Sequence, residues 1–260
     1  MKKDVLRQWI VIVTFVIMIT ANTVAEVLPL NGQTTKQISD SFQVIFVPAA
    51  YVFSIWGLIY LTQLAFTVYQ ALRKQRENPV LRKIGYLVVI SNILNAGWIV
   101  LWHYNLYVLT MIVMVALLVT LILIYLRVNA NKPKWNTLET WFVRVPFSIY
   151  LGWISVATIA NATALIYFLG YHPTGQISRI FTAVLLGVGV VLAGLMSWIR
   201  KDIAYPLVLI WAFVGLGVKW LGTYPSIVIV SFVASGIILL DILLSTFLKL
   251  KPVKKQQARK

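Results

Sequence analysis

Tyr107–Leu126 reads YVLTMIVMVALLVTLILIYL, twenty residues without one charged side chain. At 1.5 Å per residue a helix of that length covers about 30 Å, the thickness of a bilayer's hydrocarbon core. Lipid offers no water to backbone N–H and C=O groups, so such a run must satisfy them within itself and is read as a helix. The apolar run extends to Val128, and seven others accompany it: Trp9–Leu30, Ala50–Ala71, Ile84–Trp102, Val145–Leu169, Ile177–Ile199, Tyr205–Leu221 and Ser226–Leu248. The fold class that follows is an all-α integral membrane protein with about eight transmembrane helices.

Composition agrees. Of 260 residues, 60% are hydrophobic and 12% charged, against about 45–50% and 25% in soluble domains. This excludes a soluble globular enzyme, a disordered chain and a collagen-like fibre. A membrane barrel is excluded too, because its strands alternate in polarity and give only a weak hydropathy signal. There is no cysteine, which removes disulfides, thiolate catalysis, Cys-ligated zinc and Cys-held iron–sulfur clusters. The two histidines, His103 and His172, cannot build a multi-histidine site, so no metal centre is expected. Axial haem ligation is open to a single histidine, but both are expected as surface residues at the membrane interface.

The net charge of +16 is placed by topology. With the N-terminus inside and the runs alternating, one side collects Lys2, Lys3, Arg7, Arg73, Lys74, Arg76, Arg82, Lys83, Arg127, Lys132, Lys134, Arg144, Arg200, Lys201 and the six basic residues from Lys249 onward, twenty in all. The other side holds Lys36, Arg179 and Lys219. Cationic loops stay cytoplasmic. The expected location is therefore a bacterial plasma membrane with both termini in the cytoplasm. The tail 249–260 is expected to lie against anionic lipid, and no nucleic-acid partner is expected. The stretch Asn31–Ala49 is expected to be non-helical and to lie as a lid over the outer end of the bundle, since long loops in compact proteins tend to be functional.

Polar and indole residues within the runs share a depth. Asn22, Trp56, Tyr60, Asn95, Trp98 and Asn161 fall within ~8 Å of one level at the rise of a helix. Each buried amide needs a partner, which another helix, a ligand or water must supply. Two readings stand side by side: an aromatic, amide-lined pocket, or helix-to-helix bonding with the tryptophans as packing. Spacing gives each group a face. Asn95 and Trp98 are three apart, Trp56 and Tyr60 four apart, and Trp153, Ala157 and Asn161 run at i, i+4, i+8.

Three segments resemble the tryptophan-rich sensory protein family, also called the translocator protein or TspO/MBR family. FVPAAYVFSIWGLIY is similar to the second-helix signature through Pro48, Val52, Phe53, Trp56 and Tyr60. NILNAGWIVLW resembles the third-helix motif through Asn95 and Trp98, and WISVATIAN the fifth-helix motif through Trp153, Ala157 and Asn161. The pattern departs at Ala49, which stands where the family has a second proline, and in the position of Pro146. The resemblance covers Trp9–Tyr171. It implies a five-helix domain over 1–171; the chain departs from the five-helix family by adding three transmembrane helices over 172–248, read from its apolar runs, and a basic tail over 249–260.

The resemblance also implies a membrane-embedded binding or sensory protein for a flat hydrophobic ligand, a porphyrin-type tetrapyrrole or a sterol-like molecule. The implied ligand-binding residues are Pro48, Phe53, Trp56, Tyr60, Asn95, Trp98, Trp153, Ala157 and Asn161. No cofactor is required under this reading; a bound porphyrin or haem would be ligand, and family members often pair as homodimers. No settled enzyme activity comes with it and no catalytic residue is assigned. Two alternatives remain: a proton-coupled secondary transporter, and a light-dependent porphyrin-degrading enzyme. The first draws on Asp241, the one acid well inside a run, as a proton or ion site. Lys219 is expected to reach outward to the interface. Glu26, Asp40, Glu77, Glu139 and Asp202 are read as scattered loop acids, and Gly187, Gly189, Ala193 and Gly194 as a ridge for close helix packing.

Overall fold

A computed structural model describes residues 2–130, 135–172 and 175–248. Lys132, Lys134 and the basic tail from Lys249 lie outside the described residues. In chain order the helices are α1 (Lys2–Val27), α2 (Thr35–Ser41), α3 (Ile55–Ala71, preceded by a 3-10 turn at Ala50–Ser54), α4 (Pro79–His103), α5 (Tyr107–Asn129), the single turn α6 (Thr137–Glu139), α7 (Val145–Phe168), α8 (Gly175–Trp198), α9 (Ala204–Lys219) and α10 (Pro225–Phe247). A π-helical turn at Thr140–Arg144 joins α6 to α7 just before Pro146.

Eight long apolar helices thus match the eight runs. Among the described residues seven, counting Ala50–Ala71 and Thr137–Phe168 as continuous segments, are long and apolar enough to cross a membrane. The eighth, α9, has 16 residues, about 24 Å of rise. The chain is an integral membrane protein of all-α class. Leu61, Ile112, Val191 and Ile229 are among the many large apolar side chains left exposed on the outside, as a surface solvated by acyl chains requires.

Five helices close a ring in the order α1, α4, α5, α7, α3, with α3 returning to α1. The remaining three form a second group, in which α9 packs on α8 and α10 and joins the ring through α7. Association in lipid relies on close packing rather than on water exclusion, so small residues mark the seams. A Cβ on Gly189 of α8 would collide with the Phe213 ring of α9, and one on Gly215 of α9 would collide with the Val52 side chain. Inside the ring, the buried Phe66 and Phe147 meet edge to face at 4.8 Å.

Polar contacts gather the basic segments at one end. Arg7 donates to the carbonyl of Arg76 (2.8 Å) and Gln8 to that of Gln70 (2.6 Å). Arg82 pairs with Asp4 through both of its contacts at 2.8 and 2.9 Å. Arg127 donates to Lys83, and Arg144 to Arg200 and Lys201. The start of α1, the end of α3, the start of α4, the end of α5, the start of α7 and the turn before α9 therefore share one face, here the basic face. The opposite face carries the α1–α3 connection and the end of α9.

Two expectations change. The stretch Asn31–Ala49 is not wholly non-helical, because Thr35–Ser41 forms α2 behind a capping box of Thr34 and Gln37. Thr34-Thr35-Lys36-Gln37 is the Ser/Thr-x-x-Glu/Gln pattern that satisfies two orphan donors at a helix start. And α1 begins seven residues before Trp9, because the backbone stays helical through the polar interface after the apolar run has ended.

Candidate ligand-binding site

At the end opposite the basic face, the ring helices enclose a chamber. Its walls are Phe53 and Trp56 before and on α3, Trp98 and Trp102 on α4, and Trp153, Val156, Ala157, Ala160, Asn161 and Ala164 on α7. Thr35 and Ser39 of α2, with Phe42, Val47 and Pro48, form its roof. The helical period explains the walls. Trp98 and Trp102 are four apart, and Trp153, Ala157, Ala160, Asn161 and Ala164 follow one face of α7. The alanines leave the space into which the indoles project.

The aromatic side chains are ordered among themselves. Tyr60, Trp56, Trp98 and Trp102 stack in sequence, with centroid separations of 5.6, 6.1 and 5.7 Å and interplanar angles of 22–28°. Trp153 stands edge-on to Trp56 at 6.0 Å and 84°. These are favourable offset-stacked and T-shaped geometries, each worth roughly 0.5–1.5 kcal/mol beyond area burial. The rings fill most of the chamber, whose free volume is about 50 Å³.

The residues that line this volume carry an unusual set of polar atoms. Trp98 Nε1, Trp102 Nε1, Trp153 Nε1, Asn161 Oδ1 and Thr35 Oγ1 are buried without a hydrogen-bond partner among the described residues. The other Asn161 amide atom reaches Thr110 only at 3.4 Å. Native proteins pair nearly all buried polar atoms, and each one left unpaired costs about 1–3 kcal/mol. Five on the residues lining one space form a set of donors and acceptors with no partner among the described residues.

Behind Phe53, Trp56 and Thr35, which belong to both spaces, lies a groove of about 420 Å³ between α1 and α3. Asn22, Thr23, Glu26, Lys36, Gly57, Tyr60 and Ile99 also line it. Its size falls in the range of small-molecule sites, which the chamber alone does not reach. Phe53 and Trp56 are the partition between the two.

The roof is tied down mainly from α9. Trp220 donates its indole N–H to the Ile45 carbonyl (2.9 Å), Lys219 lies 3.5 Å from Asp40, the Ala49 N–H donates to Gly215 (3.0 Å) and Trp211 donates to Val52 (3.1 Å). Phe42 is wedged among Trp102, Tyr107 and Tyr167 at 5.0–6.0 Å. Lys219 therefore does not simply reach outward to the interface. It and Lys36 both pair with Asp40.

The structure brings Pro48, Phe53, Trp56, Trp98, Trp153, Ala157 and Asn161 together around the chamber and places Tyr60 in the groove. Asn95 lines neither. Its carbonyl oxygen accepts from Asn22 (2.8 Å) and its amide donates to the Tyr150 hydroxyl (2.8 Å), so at this position the helix-bonding reading describes the geometry. Trp102, Phe42, Thr35 and Ser39 were not singled out from the sequence. Trp102 carried a signal, four residues after Trp98 on the same face; Phe42, in a connection, carried none.

Other expectations are corrected. His103 is not a surface residue: it is fully buried, with Nδ1–H donating to the Ile99 carbonyl (2.8 Å), because the Asn31 turn and α2 cover the end of α4. His172 is exposed, beside Tyr167 at 4.1 Å. Glu26, Asp40 and Glu139 are helical, on α1, α2 and α6. Asp202 is no scattered acid. It is 3% exposed and accepts from Ser148 (2.7 Å), Tyr125 (2.9 Å) and the backbone N–H groups of Ala204 and Tyr205, joining α5, α7 and α9. Asp241 lies away from the chamber, between α8 and α10, where Trp198 donates to it at 3.5 Å.

A family model described as "TSPO-like protein" matches residues 8–244. The chain belongs to this TSPO-like family. The match runs through α8, α9 and α10 and so takes in both helix groups. No curated protein and no solved structure matches the chain. Membership in the TSPO-like family agrees with a membrane-embedded protein of the binding or sensory kind.

Proposed function

We propose that this protein binds a flat, hydrophobic ligand of the porphyrin-type tetrapyrrole class within the half of the bundle opposite the basic face, and that it acts as a binding and sensory protein. The observation that carries this reading is the set of five unpartnered polar atoms around an indole-walled space. A macrocycle offers flat faces for stacking and a periphery of polar groups for N–H donors. The ligand occupies the groove between α1 and α3 with one face on Trp56 and Tyr60. Rotation of Trp56 and Phe53 merges groove and chamber, and the indole N–H groups then reach the ligand's edge. The clamps from α9 hold the roof in place, so lid opening is coupled to the second helix group. By the cationic-loop rule, the basic face lies in the cytoplasm of a bacterial cell and the site opens from the other side.

The test is a titration of the purified protein with protoporphyrin, followed by the ligand's own absorbance so that loss of tryptophan does not alter the readout. Saturable binding is expected, weakened about tenfold in the Trp56→Ala, Trp98→Ala double variant, since stacked pairs contribute ~0.5–1.5 kcal/mol each. Circular dichroism checks that the variant is folded. Unchanged binding by a folded double variant contradicts the proposal.

A further inference from the structure

A cavity larger than the chamber and the groove beside it lies near the other end. A groove of about 680 Å³ runs between α3, α7 and α9. Its apolar walls include Leu58, Ile149, Ile203, Leu207 and Trp211. Its end at the basic face is polar: Thr140, Arg144, Ser148, Lys201 and Asp202.

Its dimensions match one leaflet. From Ala204 to Trp211, α9 climbs about 10 Å, and from Trp141 to Ile149 the π-helical turn and the start of α7 together climb about 12 Å. The groove thus runs from the polar interface to a few ångströms short of the middle of a hydrocarbon core about 30 Å thick. Leu58, Ile203, Leu207 and Trp211 are more than a third exposed, so it opens sideways toward acyl chains. Trp141, 63% exposed at its basic end, has the placement of an interfacial indole.

The charge at that end is positive. Asp202 accepts from Ser148, Tyr125 and two backbone N–H groups and lies 4.0 Å from the Arg144 guanidinium, so it offsets one of the two cations and leaves the end with the charge of the other. Arg144 spends one terminal nitrogen on the carbonyls of Arg200 and Lys201, and its Nε is buried with no partner among the described residues. Lys201 stands beside it, its ammonium 5.5 Å from the Trp198 ring. An apolar trough one leaflet deep whose interfacial end carries Arg144 and Lys201 against the single acid Asp202, a net positive charge, complements an amphiphile with an anionic head.

We infer that the α3–α7–α9 groove is a binding site for an anionic phospholipid of the leaflet on the basic face, with the phosphate at Arg144 and Lys201 and an acyl chain along Leu207 and Trp211. This site is separate from the chamber and does not depend on the tetrapyrrole reading. It exists only because α9 packs on the five-helix ring.

The test is native mass spectrometry of the full chain released from bilayers containing equal amounts of phosphatidylglycerol and phosphatidylcholine. Lys201→Asn removes the charge and suits the left-handed backbone at this residue (φ 52°). Leu207→Trp fills the trough. Lys83→Gln, on the basic face but away from the groove, is the control. Preferential retention of phosphatidylglycerol is expected. It should fall about fivefold in Lys201→Asn, in line with ~1 kcal/mol for one cation near an anionic headgroup. Leu207→Trp should lower retention of both lipids, and Lys83→Gln should change nothing. Excess inorganic phosphate should not displace the lipid, because the chain contributes to binding. Equal retention of both lipids by the wild type, a preference unchanged by Lys201→Asn in a protein with unaltered thermal stability, or stripping by inorganic phosphate would overturn the assignment.

Discussion

The two ends of the bundle use polar side chains in opposite ways. At the basic face they close the structure. Arg7, Gln8, Arg127 and Arg144 donate to backbone carbonyls of neighbouring segments, Arg82 holds Asp4, and Asp202 gathers four donors. What is left over there is the Nε of arginines, two of which are anchored by their terminal nitrogens, and the Ser197 hydroxyl at the end of α8, none of them gathered on the chamber. At the other end five of the groups left over belong to residues of one chamber, three indole N–H groups, a threonine hydroxyl and an amide oxygen, while His103 Nε2 and the Ser231 hydroxyl lie outside it. The first pattern is what packing helices in lipid demands. The second is costly for packing alone, and its concentration around one space distinguishes a site from a seam.

That contrast can be broken by substitution. The largest effect is expected from Asp202→Ala, which strands Ser148 and Tyr125 and frees the start of α9. A loss of about 4 kcal/mol is expected in denaturant unfolding in mixed micelles, with roughly half of it restored by Asp202→Asn. A loss under 1 kcal/mol would mean that the basic end is not closed by this acid. Next is Phe42→Ala, which removes a ring wedged among three others in the roof. It should cost about 3 kcal/mol and speed amide exchange over residues 42–49 well before global unfolding.

Two asparagines sharpen the comparison. Asn95→Leu should cost about 1–2 kcal/mol, since it strands Asn22 and Tyr150, while protoporphyrin affinity changes little. Asn161→Leu should do the reverse, with little loss of stability and a clear loss of affinity. Identical behaviour of the two would erase the distinction between seam and site. The smallest effects separate two hydroxyls. Ser148→Ala should lower stability by about 1 kcal/mol because it removes a bond to a charged acceptor. Thr35→Val should leave it within roughly 0.5 kcal/mol, its hydroxyl having no partner to lose.

Much of the fold was legible in the sequence, because membrane helices announce themselves by length and apolarity. The alternation of basic segments likewise foretold which helix ends meet, and Arg7 with Arg76 and Arg144 with Arg200 are that alternation made visible. Within the site, the Trp153–Ala157–Asn161 stripe was readable because α7 keeps its period over those residues. Depth, however, gives height and not direction. Asn22, Asn95 and Asn161 lie at one level, yet only Asn161 lines the chamber. Phe42 and α2 come from the α1–α3 connection, where no apolar period marks a face, and only the capping box at Thr34 hinted at a helix. Asp202 was hidden by its neighbours: beside Arg200 and Lys201 it looks like one more interfacial charge, and the long-range contacts that bury it have no local signature.

The most direct measurement is the set of indole N–H resonances in protein labelled at tryptophan nitrogen, recorded while protoporphyrin is added. The account predicts that the signals of Trp98, Trp102 and Trp153 shift together and saturably, while those of Trp198 and Trp220, whose N–H groups already bond to Asp241 and Ile45, stay in place. Stationary signals from all three chamber tryptophans, or a uniform drift of every indole in the protein, would contradict it.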